Sequence, residues 1–307
     1  MSTPDVPKIA LAPAPGPDWL ATAIAEGGGQ LVPLAECEAI IWADAHDPHG
    51  LMTALAVAPG ATWVQLPFAG IENFLPHLDR HYRWTCGKGV YADPVAEIGF
   101  ALALAGMRGL GTYARASSWM PPLGHSLLGA NVTILGGGGI AESFIKLLRP
   151  FDCHLTVVRA NAQHMDGVDV VLEADRYADS LPGADLVFMA LPLTPDTEGL
   201  IGREELELME SHAWLVNVGR GGQVVTDDLV DALRNGVIGG AGLEVTDPEP
   251  LPGGHPLWQL ENCIITPHTG TTPEMARPLL AARVEANVRR FAAGEDLIGP
   301  IDLDAGY

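Results

Sequence analysis

Basic residues are scarce in this chain. Lys and Arg together number 17 against 38 Asp and Glu, a formal charge of −21. Such a surface repels phosphate backbones and anionic lipid headgroups, so neither nucleic acid nor a membrane is an expected partner. It also repels small anions at long range, so a site for an anionic substrate needs its own local positive charge. Long apolar runs are missing as well. The longest, Ile98 to Met107, has 10 residues; it cannot span a bilayer and reads as a buried helix segment. Met1 to Gly16 shows no basic stretch leading into an apolar one, so no secretory signal is expected. The four cysteines, Cys37, Cys86, Cys153 and Cys263, lie far apart with no CxxC. That spacing disfavours a zinc knuckle and fits a reduced cytoplasm. No internal repeat occurs, no low-complexity tract beyond a loop-like Ala12–Pro17, and no GxSxG nucleophile elbow.

What remains is a chain of 307 residues, 48% apolar and 18% charged. It is long enough for two medium domains and apolar enough for a sizeable core. Short apolar runs alternate with longer amphipathic stretches, the rhythm of parallel strands joined by crossover helices. Strands are expected at Lys8–Leu11, Ile40–Trp42, Trp63–Leu66 and Arg83–Thr85. From Val132 on they follow at Val132–Leu135, Leu155–Val158, Asp185–Ala190, Trp214–Val218, Gly240–Val245 and Ile264–Thr266. Helices are expected at Ala92–Arg115, Ala141–Leu148, Thr226–Asn235 (Thr226 as N-cap, Gly236 as C-terminal glycine) and Pro273–Ala293. The reading is α/β. A doubly wound parallel sheet (Rossmann) domain, 96–272, is inserted into a smaller flavodoxin-like α/β domain built from 1–95 plus 273–307.

Chemistry is concentrated in the inserted part. Asn131–Leu135 runs into Gly136-Gly137-Gly138-Gly139-Ile140-Ala141, a GxGxxA turn between strand and helix. Gly136 would make the tight turn, Gly138 would let a pyrophosphate approach the backbone, and the small Ala141 would let helix pack on strand. The next strand ends in Arg159, where such units usually place a ribose-binding acid. An Arg offers a planar fork to a 2′-phosphate; the alternative is a solvated surface Arg. NADP is therefore the preferred cofactor, with NAD as the other possibility. Three later segments each put a titratable or charged residue just past a strand: Asn217-Val218-Gly219-Arg220-Gly221, Glu244 to Pro252, and Pro267-His268-Thr269. One Arg, one Glu and one His at that edge suffice for carbonyl reduction. Arg holds a carboxylate and polarises the carbonyl, His protonates the developing alkoxide, and Glu keeps that His protonated.

These segments resemble the D-isomer-specific 2-hydroxyacid dehydrogenase family over nearly all of residues 60–275, including Leu191-Pro192-Leu193-Thr194-Pro195-Asp196-Thr197. The resemblance implies a catalytic Arg220, Glu249 and His268. It implies dinucleotide contacts at Gly136, Gly138, Gly139, Ile140, Arg159, Leu191, Val218 and Glu244. It further implies a substrate-carboxylate loop at Phe68-Ala69-Gly70-Ile71-Glu72, whose backbone N–H groups at Ala69 and Gly70 act with Arg220. Asp93-Pro94-Val95-Ala96-Glu97 resembles the start of the family's inter-domain helix. The implied partner is a small anionic 2-keto or 2-hydroxy acid of the glyoxylate or hydroxypyruvate type, and the implied assembly a homodimer. Departures from the family pattern are Ala141 for the last glycine, Arg159 for the usual acid, Glu244 for an Asp facing the nicotinamide carboxamide, and Ile98 where a His is common. Formate oxidation on this fold uses an amide partner for its His, which Glu249 is not. A dinucleotide-sensing corepressor or scaffold on the same fold is the alternative function. Asp44, His46, Asp47 and His49 crowd one stretch but read as a polar loop, so no metal is expected.

Overall fold

The computed structural model describes residues 6–306; the start of the Met1–Gly16 segment and the last residue lie outside them. The chain divides into two compact units. One runs to Tyr91 and resumes at Thr271, and the other is Ala92–Gly270.

In the first unit, β1 (Lys8–Ala12), α1 (Asp18–Glu26), β2 (Gln30–Leu31), β3 (Ala39–Trp42), α2 (Pro48–Ala56), β4 (Trp63–Gln65) and β5 (Arg83–Thr85) follow one another. The five strands are parallel in the order β2-β1-β3-β4-β5, which is the flavodoxin-like winding. Successive side chains alternate between faces. Ala10, Ile40, Trp42 and Val64 therefore pack with Leu51 and Leu55 of α2. Ile9, Ala39, Ile41 and Trp63 pack with Leu20 and Ile24 of α1 on the other side.

The second unit begins with α3 (Ala92–Met107) and α4 (Leu110–Arg115). Sequence reading expects one helix here, but it breaks at Gly109, whose φ of 65° is left-handed. Then come β6 (Asn131–Leu135), α5 (Gly139–Leu148), β7 (His154–Arg159), β8 (Val170–Glu173), β9 (Leu186–Met189), α6 (Arg203–Leu208), β10 (Trp214–Asn217), α7 (Thr226–Asn235), β11 (Gly240–Leu243) and β12 (Cys263–Ile265). All seven strands are parallel, in the order β12-β11-β10-β9-β6-β7-β8. Reversal of winding beside β6 makes the doubly wound switch point. The chain thus forms the α/β architecture expected of it, a Rossmann sheet inserted in sequence into a smaller flavodoxin-like unit.

α3 lies close on this sheet because its inner face is small. A Cβ on Gly106 would come within 2.1 Å of the Trp214 ring, and one on Gly99 within 2.5 Å of Phe188. Thr226 is the first residue of α7 and not its N-cap, which is Val225. The Thr226 hydroxyl instead donates to the Asp247 carbonyl at 2.7 Å. Gly236 does end the helix, at φ 66°. The chain closes with α8 (Pro273–Ala293), which returns to the first unit and adds Leu280, Val284 and Val288 to the α1 side of that core. Among the described residues, no helix is long and apolar enough to cross a membrane.

Candidate active site

The glycine turn is built as a cradle. Gly136 has φ 115°, and a Cβ there would strike the Ala190 carbonyl at 2.5 Å, so both conformation and space demand glycine. Its N–H is spent on Val158 O at 2.8 Å. Gly138 then caps α5 with no side chain of its own, and nothing lies within 4 Å of where its Cβ would be. The first helical bond runs from the Glu142 N–H to Gly138 O. The N–H groups of Gly139, Ile140 and Ala141 therefore lack intrahelical acceptors at the positive end of the helix dipole. An anion fits there, and a side chain on residue 138 would obstruct it.

Arg159, the last residue of β7, folds over this turn. Its side chain lies 2.9 Å from where a Cβ on Gly137 would be. No hydrogen bond or ion pair joins its guanidinium to any other described residue, which leaves its donors available beside the cradle.

Three adjacent strands deliver the remaining groups. Asn217, Leu243 and Ile265 are in register at the carboxyl ends of β10, β11 and β12. Past those ends, the Glu244 N–H donates to Asn217 O at 3.0 Å, and the His268 N–H donates to Glu244 O at 2.9 Å. His268 has φ 51°, a left-handed backbone that costs a non-glycine residue about 1–3 kcal/mol, and that conformation sets the direction of its ring. Its Nδ1 is 2.6 Å from Glu249 Oε1, with both side chains partly open to solvent.

Arg220 sits three residues past β10, and its segment is held from two directions. A Cβ on Gly221 would fall 2.0 Å from Thr246 O, so the Arg220 loop rests directly on the backbone leading to Glu249. Gln223, fully buried, accepts from the Arg220 N–H at 3.0 Å and donates to Leu191 O and Pro192 O. Asn217 accepts from Gly219 N–H and donates to Arg220 O. Sequence reading missed Gln223 and Asn217 as positioning groups; the only signal for Asn217 was an uncharged polar residue ending an otherwise apolar strand, and Gln223 carried none. The structure thus joins His268 to Glu249 directly and places Arg220 on the neighbouring strand end.

Glu244 is 2% exposed. Its Oε2 accepts from the Thr266 hydroxyl, and its Oε1 has no partner among the described residues. A buried, unpaired carboxylate oxygen requires a donor. The carboxamide N–H of a nicotinamide is such a donor, so the longer Glu in place of Asp still suits the group. Val218, directly after β10, is buried with its N–H on Met189 O, and Leu191 follows β9. These residues and the cradle fit a nicotinamide dinucleotide.

Ala69 and Gly70 lie in the first unit, on the loop that follows β4. In the polar loop before α2, Asp47 caps the helix through the Gly50 N–H at 2.7 Å, and Asp44 accepts from the His46 N–H. Both acids have local backbone duties. His212 is 2.7 Å from Asp185 at the opposite, amino end of the sheet.

A parallel sheet wound in this order, with a glycine turn opening a helix and a His–Glu pair on its carboxyl edge, defines a dinucleotide-dependent oxidoreductase. Residues 100–270, more than half of the chain, match the profile described as D-isomer specific 2-hydroxyacid dehydrogenase, NAD binding domain. Glyoxylate reductase/hydroxypyruvate reductase of Mus musculus is 29% identical over 315 residues, covering 91% of this chain and 95% of its own. Glyoxylate reductase of Pyrococcus horikoshii is 34% identical over 218 residues, covering 67% and 65%. Among solved structures, a D-isomer specific 2-hydroxyacid dehydrogenase from Xanthobacter autotrophicus Py2, in complex with NADPH and MES, superposes with TM-score 0.84. It is 24% identical and covers 98% of this chain and 100% of that one, a likeness of fold. The chain belongs to the D-isomer specific 2-hydroxyacid dehydrogenase family. It is an NAD(P)-dependent oxidoreductase that interconverts 2-keto and D-2-hydroxy acids.

Proposed function

We propose that this chain reduces a small 2-keto acid of the glyoxylate or hydroxypyruvate type to its D-2-hydroxy acid, with NADPH preferred over NADH. The carrying observation is the 2.6 Å bond between His268 and Glu249 at the carboxyl edge of the dinucleotide sheet. The names of the mouse and Pyrococcus relatives support the choice of substrate. A bound reduced nicotinamide supplies the hydride. Arg220 holds the substrate carboxylate as a fork and polarises the carbonyl, and the family's carboxylate-binding loop is assigned by resemblance to Ala69 and Gly70. His268 presents Nδ1 to Glu249, which leaves Nε2 as the nitrogen that gives its proton to the new alkoxide. Glu249 stabilises the imidazolium before that transfer. Gly136, Gly138, Gly139 and Ile140 hold the pyrophosphate, Glu244 the carboxamide, and Leu191 and Val218 border the rings. Arg159 selects the 2′-phosphate.

On this reading, 96–272 is the dinucleotide-binding domain, and 1–95 plus 273–307 is the substrate/catalytic domain. The working form is a homodimer in the cytoplasm. Loss of NADPH absorbance on adding glyoxylate or hydroxypyruvate is the expected result, with kcat lowered about 10²–10⁴-fold in His268→Ala. Tight NADPH binding with no turnover on either acid would reject the reductase in favour of a dinucleotide-sensing corepressor or scaffold.

A further inference from the structure

The loop after β4 is held by residues to which the proposed function gives no role. Pro67 O accepts from the Tyr91 hydroxyl at 3.0 Å, and Phe68 O accepts from the Gly87 N–H at 3.0 Å. One residue earlier, Leu66 O accepts from the Gln65 side-chain amide at 2.8 Å. Three successive carbonyls are therefore each tied to a donor. Neither the 67–68 nor the 68–69 peptide is cis. In a trans peptide the carbonyl and the next N–H point in opposite directions. Fixing Pro67 O and Phe68 O on Tyr91 and Gly87 thus turns the N–H groups of Phe68 and Ala69 the other way. Neither N–H donates to any described residue, and both residues are exposed. Two adjacent N–H groups, each turned away from its fixed carbonyl and unspent, are available to an anion.

The anchors behind this loop are stiff. Gln65 is buried, and its Oε1 accepts from Asn287 of α8 at 2.9 Å and from Thr85 at 2.8 Å. Arg283 of α8 donates to Cys86 O and Lys88 O on either side of Gly87. The Tyr91 ring packs on the Phe68 ring, with centroids 5.6 Å apart. A Cβ on Gly87 would meet Pro67 O at 2.6 Å, so that turn presses directly on the loop. Burial pushes the Tyr91 phenol up to about 12, against the opposing charge of Arg283. It therefore remains a hydrogen donor throughout any working pH range.

We infer that Tyr91 is a positioning residue for the substrate carboxylate: its hydroxyl, acting with the Gly87 N–H, rotates the Phe68 and Ala69 N–H groups into an anion cradle. The inference rests on the reading of this loop as the carboxylate site. It extends that site back by one residue, to Phe68, and names what holds it.

Tyr91→Phe keeps the ring and removes only the donated bond. Its KM for glyoxylate should rise about 5- to 10-fold, the size of one neutral hydrogen bond. Its kcat, its KM for NADPH and its melting temperature should stay near the parent's. Inhibition by oxamate, a non-reducible carboxylate analogue, should weaken by the same factor. Gly87→Ala, which pushes on the same carbonyl, should move the two constants in the same direction. An unchanged glyoxylate KM in Tyr91→Phe overturns the assignment, and so does a shift shared equally with NADPH. Ala69→Pro deletes one cradle N–H and tests the underlying reading separately. If it raises KM and Tyr91→Phe does not, only the role of Tyr91 falls. If it leaves KM unmoved, the cradle itself falls.

Discussion

At the scale of single residues, the proposed roles of Arg159 and Glu249 each predict a measurable change. Arg159 stands at the end of β7 with its side chain over the glycine turn and no described partner. A charge-assisted contact to a phosphate is worth about 1.5–3 kcal/mol, so NADPH should be preferred roughly 10- to 150-fold in kcat/KM. Arg159→Asp should remove that preference, since a carboxylate repels the phosphate and accepts from a 2′-hydroxyl. Equal use of both cofactors by the parent would reduce Arg159 to a stacking residue, and an NADH preference would refute the assignment. For Glu249, replacement by Gln removes the negative charge 2.6 Å from the His268 ring while keeping an acceptor. The ring is proposed to supply the proton for reduction, so Glu249→Gln should lower kcat while leaving the KM for NADPH near the parent's. An unchanged kcat would break the pairing. The segments carrying Arg220, Glu249 and His268 were legible because each follows an apolar strand, whereas the choice of Glu249 over Glu244, which directly follows β11, came only from the family resemblance. Gln223 was not legible: it is neutral and far from Leu191 in sequence, and its role exists only once β9 and β10 lie side by side.

At the scale of elements, the packing of α3 carries a stability prediction. Gly106→Ala would place a methyl 2.1 Å from the Trp214 ring, which is rigid and itself buried. Overpacking of this kind costs about 1–3 kcal/mol. The variant should melt several degrees lower in calorimetry, while the glyoxylate and NADPH KM values of the remaining folded protein hold steady. No change in melting would mean that the helix can lift off the sheet freely. The same elements show where pattern reading stopped. Long periodic runs such as Pro273–Ala293 were legible to the residue, because a helix of that length leaves an unambiguous repeat. The break at Gly109 was not, because Gly also occurs unbroken within α3 at Gly99 and Gly106. β2 and β8 were missed as strands: β2 has two residues, both exposed, and β8 is an edge strand with no buried residue, so neither shows the apolar signal. The helices α1, α2 and α6 also went unassigned, at 9, 9 and 6 residues too short to repeat their pattern clearly.

At the scale of the whole molecule, the buried acids of high pKa set an alkaline limit. Burial raises the thiols of Cys37 and Cys86 above their ordinary value of 9.0, and pushes Cys263 and the Tyr91 phenol up to about 12. In that range the folded chain binds more protons than the unfolded one. Stability is therefore intact below about pH 9 and declines as pH climbs toward about 12. Urea midpoints measured from pH 7 upward should be level and then fall from about pH 9; a flat course to pH 11 would contradict the burial of these groups. Thiol reagents at pH 8 should leave Cys263 untouched until the protein unfolds.

The interrupted first unit also has a consequence for synthesis. Its strands β1, β3 and β4 leave the ribosome early, but the apolar face formed by Ile9, Ile41 and Trp63 is covered in part by Leu280, Val284 and Val288, which emerge near the end. The inserted unit is continuous and meets no such delay. While the later residues are being added, the early half waits with an uncovered sheet face, the period of greatest exposure to chaperones and to aggregation. A protease pulse during translation should cut the first unit until α8 is out, long after the inserted one resists. The last helix works as a clasp, and the nascent protein is vulnerable for as long as the clasp is still unmade.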